Sequence, residues 1–121
     1  MTPATLVTGG SYAAREAAIA AVLVPGECTV AILEGLPDGK ADSPLQLALA
    51  AQQLLRIAPG CLCCTGSLTM RVTLNRVLRN RPQRLFISLA DASHISRIRE
   101  FLGTPSYIQL LILTEDLHIS S

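Results

Sequence analysis

Three of the four cysteines in this 121-residue chain lie close together, at Cys61, Cys63 and Cys64. A disulfide between adjacent cysteines is strained, and a bridge to Cys61 closes a ring too small to restrict much of the unfolded chain. A thiophilic divalent ion such as zinc is the simpler shared partner, because three thiolates on one loop can occupy three corners of a tetrahedron. The spacing predicts a metal site with one position left for water, another side chain or a client molecule.

The sequence leaves the fourth ligand open. Cys28 begins a predicted strand, so we expect it to be a small core residue rather than a ligand. Single histidines are more often surface or capping residues, and a second copy of the chain in a homodimer is a further source of ligands. Besides Cys28, the candidates are His94, His118, Glu34, Asp91, Glu115 and Asp116.

Composition predicts one globular domain covering residues 1–121, since half of the residues are hydrophobic. The formal net charge of +1 gives no general attraction to nucleic acid or to an acidic membrane. No apolar run is long enough to span a bilayer, and the N-terminal residues do not have the pattern of an export signal. Clustered cysteines fit a reducing compartment, so we expect a cytoplasmic protein without a nucleic-acid or membrane partner.

Apolar runs and breakers predict alternating strands and helices. Continuous rather than alternating hydrophobicity in the strands favours a three-layer α/β fold, with a mainly parallel sheet covered by helices on both faces. In such a fold the cysteine loop follows a strand at the carboxyl edge, where ligands bind. The predicted strands are 5–8, 29–33, 56–58, 85–90 and 108–113, and the predicted helices are 13–23, 43–55, 67–80 and 95–102.

The first strand ends in a glycine turn, Gly9 and Gly10, that has the position of a phosphate-binding loop. Such a loop follows the pattern Gly-x-x-x-x-Gly-Lys-Ser/Thr, because glycines allow close backbone approach, the lysine contacts phosphates and the hydroxyl contacts Mg²⁺. Gly9 matches the first glycine, but Ala14, Arg15 and Glu16 replace the last three conserved positions. We therefore expect a degenerate nucleotide site, a plain strand-to-helix turn in preference to a working site for GTP and Mg²⁺.

A P-loop-like strand followed by a Gly-Cys-x-Cys-Cys loop resembles the CobW-like family of P-loop GTPases and metallochaperones. The resemblance covers residues 5–113, and Cys61, Cys63 and Cys64 match the family's metal-binding triad. It implies a P-loop NTPase-like fold, zinc or a similar metal, and a metal-recipient protein. Where the family has Glu-x-x-Gly, this chain has Ser88 to Asp91, and it stops before the guanine-reading segment. We therefore expect a degenerate, truncated member that has lost nucleotide hydrolysis.

Two other functions remain open. A divergent GTPase would use Arg15 in place of lysine and Glu16 to hold Mg²⁺. Residues 6–11 also resemble the start of short-chain dehydrogenases, with Glu34 at the position of the ribose-binding acid, but no Tyr-x-x-x-Lys pair follows.

The arginines have simpler interpretations as well. Arg15 is either an exposed arginine on a helix or part of an anion site at the helix N-terminus. The basic stretch from Arg71 to Arg84 is a solvated helix face in preference to a nucleic-acid site, because it lacks interleaved aromatic residues.

Overall fold

Strands and helices alternate along the chain in the computed structural model, which describes residues 2–24, 28–34, 54–57, 68–89, 95–105, 107 and 109–119. The elements, in chain order, are β1 (Thr2–Gly9), α1 (Tyr12–Ala21), β2 (Thr29–Glu34), β3 (Leu54–Ile57), α2 (Leu68–Arg79), β4 (Arg84–Ser88), α3 (Ile95–Leu102), β5 (Leu111–Leu113) and β6 (Leu117–Ile119).

The described strands form one sheet in the order β3-β2-β4-β1-β5, and β6 pairs with the carboxyl half of β1. All five pairings are parallel. Parallel strands need crossover connections, which helices provide in α/β proteins. The predicted α/β class with a mainly parallel sheet is therefore confirmed.

Both faces of the sheet are covered by helices. On one face, Leu6 and Ile87 of the strands pack with Leu74 of α2 and Ile98 of α3. On the other face, Val7 and other strand residues pack with Ile19 of α1. This covering on two sides explains why β1 and β4 are buried at successive positions rather than at alternate ones.

The edge beside β1 contains a bulge. Ala4 pairs with Leu113 and Val7 pairs with Leu117. An advance of three residues along β1 is therefore matched by an advance of four residues along the neighbouring segment, which has one extra residue. Thr114 fills the break: its backbone N–H donates to the Ala4 carbonyl over 2.9 Å, and its hydroxyl lies 2.6 Å from that of Thr5. The bulge lets one chain segment follow β1 along its whole length.

Two predicted elements differ from the structure. Residues 54 and 55 belong to β3, not to the end of a helix, because Leu54 pairs with Ala31 of β2 and this long-range pairing overrides the local periodicity. The last predicted strand starts at Leu111 rather than at 108. Turn hydrogen bonds precede it, from Tyr107 to the Thr104 carbonyl and from Leu110 to the Tyr107 carbonyl.

Tyr107 explains the late start of β5. Its side chain is buried, its ring lies edge-on to Phe101 with centroids 5.0 Å apart, and its hydroxyl donates to Asn75 Oδ1 over 3.1 Å. Placing an aromatic ring in the core while satisfying its hydroxyl fixes the chain in a turn at this point.

In the described part of the chain, no helix is both long enough and apolar enough to cross a membrane.

The prediction that α2 is a surface helix is confirmed at Arg76 and Arg79, which are exposed. Arg84, at the start of β4, instead lies over the Phe86 ring, with its Cζ 4.7 Å from the ring centroid.

Candidate site at the carboxyl edge of the sheet

The turn between β1 and α1 requires its two glycines. Gly9 and Gly10 have φ angles of 82° and 61°, a region that other residues rarely adopt. A Cβ on Gly9 would also collide with the carbonyl oxygen of Ile119, and a Cβ on Gly10 would lie 2.9 Å from Ile119 Cγ2. The turn is therefore packed tightly against β6.

Ser11 precedes α1 and is its N-cap. Its backbone is extended and its Oγ accepts a hydrogen bond from the Ala14 N–H over 3.1 Å. The first turn of a helix has free N–H groups that bind anions in phosphate loops. In this chain one of those donors already has an acceptor from the protein itself.

Arg15 is buried, so the interpretation as an exposed helical arginine is wrong. Its side chain is 4% exposed. Its Nη1 donates to the carbonyls of Gly9 and Gly10 over 3.1 and 3.0 Å, and its Nε donates to Ser88 Oγ over 3.0 Å. Buried guanidinium groups need such partners, because an unpaired buried charge is costly. The positive charge that would contact a phosphate in a phosphate loop contacts acceptors of the protein itself.

The other replaced positions of the phosphate-loop pattern also lie at this turn. Ala14 is partly buried, and its methyl lies 3.2 Å from where a Cβ on Gly10 would be. Glu16, at the position of the magnesium-binding hydroxyl, is 5% exposed. Gly9, Gly10, Ala14, Arg15 and Glu16 thus lie at the carboxyl end of β1 and in the first turns of α1, and a role for them in nucleotide binding stays a prediction.

The predicted metal ligands are described unevenly. Cys61, Cys63 and Cys64, together with Asp91 and His94, lie outside the described residues. Within the described ranges, no three His, Cys, Asp or Glu side chains are grouped to hold a metal ion.

The ends of the neighbouring elements limit where residues 58–67, which we call the cysteine segment, are attached. Ile57 ends β3 and is the register partner of Glu34, the last residue of β2. The 12-residue helix α2, about 18 Å long, precedes β4, which starts at the amino edge, so α2 begins near the carboxyl edge. Residues 58–67 therefore connect two points near the carboxyl edge of the sheet.

Cys28 lies at the opposite edge. It is exposed, so the expectation of a core position is wrong. Cys28 precedes β2, where its backbone groups make hydrogen bonds. Its N–H donates to Gln83 Oε1 over 2.6 Å and its carbonyl accepts from Gln83 and Arg84. The six residues of β2 separate it from the carboxyl edge by about 20 Å. This distance disfavours Cys28 as a fourth ligand.

Sheet order also separates β6 from β3. His118 lies beside β1, where its Nδ1 is 3.1 Å from Thr8 Oγ1, and four strand spacings of about 4.8 Å separate β6 from β3. Asp116 forms an ion pair with Arg99, and Glu115 is exposed on the same edge. Among the described candidates, Glu34 is the residue nearest in the sheet to the start of the cysteine segment.

The structure is that of a mainly parallel α/β protein, with a glycine turn after β1 whose carbonyls bind the Arg15 side chain. The chain is similar to the zinc chaperone YeiR of Escherichia coli strain K12, with 32% identity over 111 residues. The match includes 88% of this chain and 34% of YeiR, so the chain spans about a third of that relative. No protein-family model matches the chain, and no solved structure matches it significantly.

Sequence reasoning missed Ser88 as a partner of Arg15 and missed the strand β6. Ser88 is 73 residues from Arg15, and nothing in the local pattern links the two. The alternation of Leu117, His118 and Ile119 was a weak signal for β6.

Proposed function

We propose that this chain binds zinc, or a similar thiophilic divalent ion, through Cys61, Cys63 and Cys64 and acts in metal delivery, without hydrolysing nucleotides. The cysteine triad in a chain 32% identical to a zinc chaperone is the observation that carries this proposal. The attachment of the cysteine segment to the carboxyl edge supports it, because parallel sheets bind ligands there. A recipient protein would take the ion from this site.

A site with three thiolates and one exchangeable position suits transfer. Three thiolates bind zinc tightly, while a weaker fourth ligand can be displaced by an incoming thiolate of the recipient. We propose Glu34 as the fourth ligand from its backbone position alone, because it ends β2 and its register partner Ile57 directly precedes the cysteine segment. Carboxylates are ordinary zinc ligands and exchange more easily than thiolates in this role.

Nucleotide hydrolysis has little support in the β1–α1 turn. A GTPase using Arg15 would need its guanidinium to contact phosphate, but this group contacts Gly9, Gly10 and Ser88. Phosphoryl transfer depends on several positioned charges at once.

The proposed function is tested by metal loading. The reduced protein is incubated with excess zinc, desalted and examined by native mass spectrometry. We expect one zinc ion per chain, and none after Cys61, Cys63 and Cys64 are all replaced by serine. Zinc stoichiometry that survives the triple replacement, or no uptake by the unmodified chain, contradicts the proposal.

A further inference from the structure

The carboxyl ends of β1 and β4 are where the topology of this sheet predicts a ligand crevice. The two strands are neighbours, but β1 continues into α1 on one face, while β4 is followed by α3 on the other face. Where connections diverge in this way, the loops separate and leave a crevice that binds ligands in α/β proteins. Gly9 and Ser88 are the last residues of the two strands.

Arg15 bridges this crevice. Its Nε contacts Ser88 at the end of β4, and its Nη1 contacts the carbonyls of Gly9 and Gly10 at the end of β1. Ser88 is 1% exposed and Arg15 is 4% exposed, so the hydrogen bond between them is shielded from water, while the two bonds to the glycine carbonyls are partly buried. One guanidinium thus links the turn, the helix and the neighbouring strand.

Part of the turn is arranged for a cation rather than for an anion. A phosphate needs N–H donors, whereas Gly9 and Gly10 direct their carbonyl oxygens at the Arg15 cation. The Ala14 N–H, which could donate to an anion, is bound by Ser11 Oγ. These groups are satisfied without any ligand.

We propose that Arg15 and Ser88 form an intramolecular clamp that fills the β1–β4 crevice, so that the turn keeps one conformation whether nucleotide is present or not. In sequence, Arg15 stands where a phosphate loop has its lysine, and Ser88 begins the segment after the neighbouring strand. The clamp therefore joins the two places that would otherwise contact a nucleotide. This inference does not depend on zinc binding.

A double-mutant cycle in urea denaturation tests the pairing. Arg15→Met keeps most of the side-chain volume and removes every donor, and we expect the folding equilibrium constant to fall by about tenfold or more. Ser88→Ala should cost about threefold or more in the unmodified chain but less than about twofold in the Arg15→Met background. Equal costs of Ser88→Ala in both backgrounds would overturn the clamp.

Two further variants keep the test decisive. If Arg15→Met does not fold, Arg15→Lys replaces it in the cycle, because lysine retains the charge but loses the fork that reaches three acceptors. Arg76→Met on α2 is the matched control, since Arg76 is exposed, and should change the folding constant by less than about twofold.

Nucleotide addition tests the second part of the proposal. A ligand present at 100 times its Kd raises the folding constant by about 100-fold. We expect 1 mM GTP or ATP with Mg²⁺ to change the folding constant of the unmodified chain by less than about twofold. Stabilisation near 100-fold would show that nucleotide enters the crevice and would refute the clamp.

Discussion

The β1–α1 turn and the cysteine segment follow two strands of one sheet, but they match the sequence patterns that they resemble to different extents. At the turn, alanine, arginine and glutamate replace the glycine, lysine and hydroxyl of a phosphate loop. The cysteine segment retains all three thiols of the motif that it resembles.

At the turn, polar groups of the chain bond to one another. Arg15 bonds to Gly9, Gly10 and Ser88, so the buried groups at the turn gain partners from the chain itself. Buried polar groups without partners would destabilise the sheet ends. Under the proposed function, Cys61, Cys63 and Cys64 would instead have a zinc ion as their shared partner.

The largest expected effect is on zinc binding, and it tests whether the two regions act independently. Replacing Cys61, Cys63 and Cys64 by serine should abolish stoichiometric zinc binding, because hydroxyls are poor zinc ligands. Ser88→Ala should leave one zinc ion per chain, because Ser88 serves the turn. Equilibrium dialysis followed by elemental analysis measures both variants. Equal loss of zinc in both would mean that the two regions are not separate functions.

Gly9→Ala should have the next largest effect, on stability. Alanine is strained at a φ of 82°, and its Cβ would meet the Ile119 carbonyl, which belongs to the paired strand β6. We expect the free energy of unfolding to fall by about 2–5 kcal/mol in urea denaturation.

Gly103→Ala is the control for this change. Its Cβ would lie 3.3 Å from the Arg99 carbonyl, and no positive φ is involved. The free energy of unfolding should change by less than about 1 kcal/mol. Similar losses in both variants would mean that the turn is no more constrained than the end of α3.

The order of elements was predictable because local signals define it. Continuous apolar runs and glycine or proline breakers located β1, β2 and β4 to within a few residues. The position of β4 between β1 and β2 was not predictable, because Thr29 and Arg84 pair across a long stretch of chain. The same reason explains β3, where pairing with β2 overrides a helical pattern.

The site was predictable to a different extent at each position. The glycine turn follows from sequence, because positive φ angles select glycine. The burial of Arg15 does not follow, because its partner Ser88 is distant in sequence and arginine on a helix is usually exposed. Cys28 was wrongly expected in the core, since its position one residue before β2 could not be distinguished from the strand itself.

Glu34→Gln should have a smaller effect, on zinc affinity. Glutamine keeps the size of the side chain and removes the anionic oxygen that we assign as fourth ligand, so the Kd for zinc should rise about tenfold. Competition with a chelating indicator measures the Kd. Glu115→Gln is the matched control, because Glu115 is exposed on the far edge of the sheet, and it should leave the Kd unchanged. A Kd that changes equally in both variants would exclude Glu34 as a ligand.

Cys28→Ser should have the smallest effect and tests whether the metal site is confined to one end of the sheet. Cys28 is exposed at the amino edge, about 20 Å from the end of β2, so its thiol cannot join ligands at the carboxyl edge. We expect an unchanged zinc Kd and a change in unfolding free energy below about 0.5 kcal/mol. A weaker zinc Kd in this variant would place the fourth thiol in the site, and would require a second chain, because the sheet holds Cys28 away from its own triad.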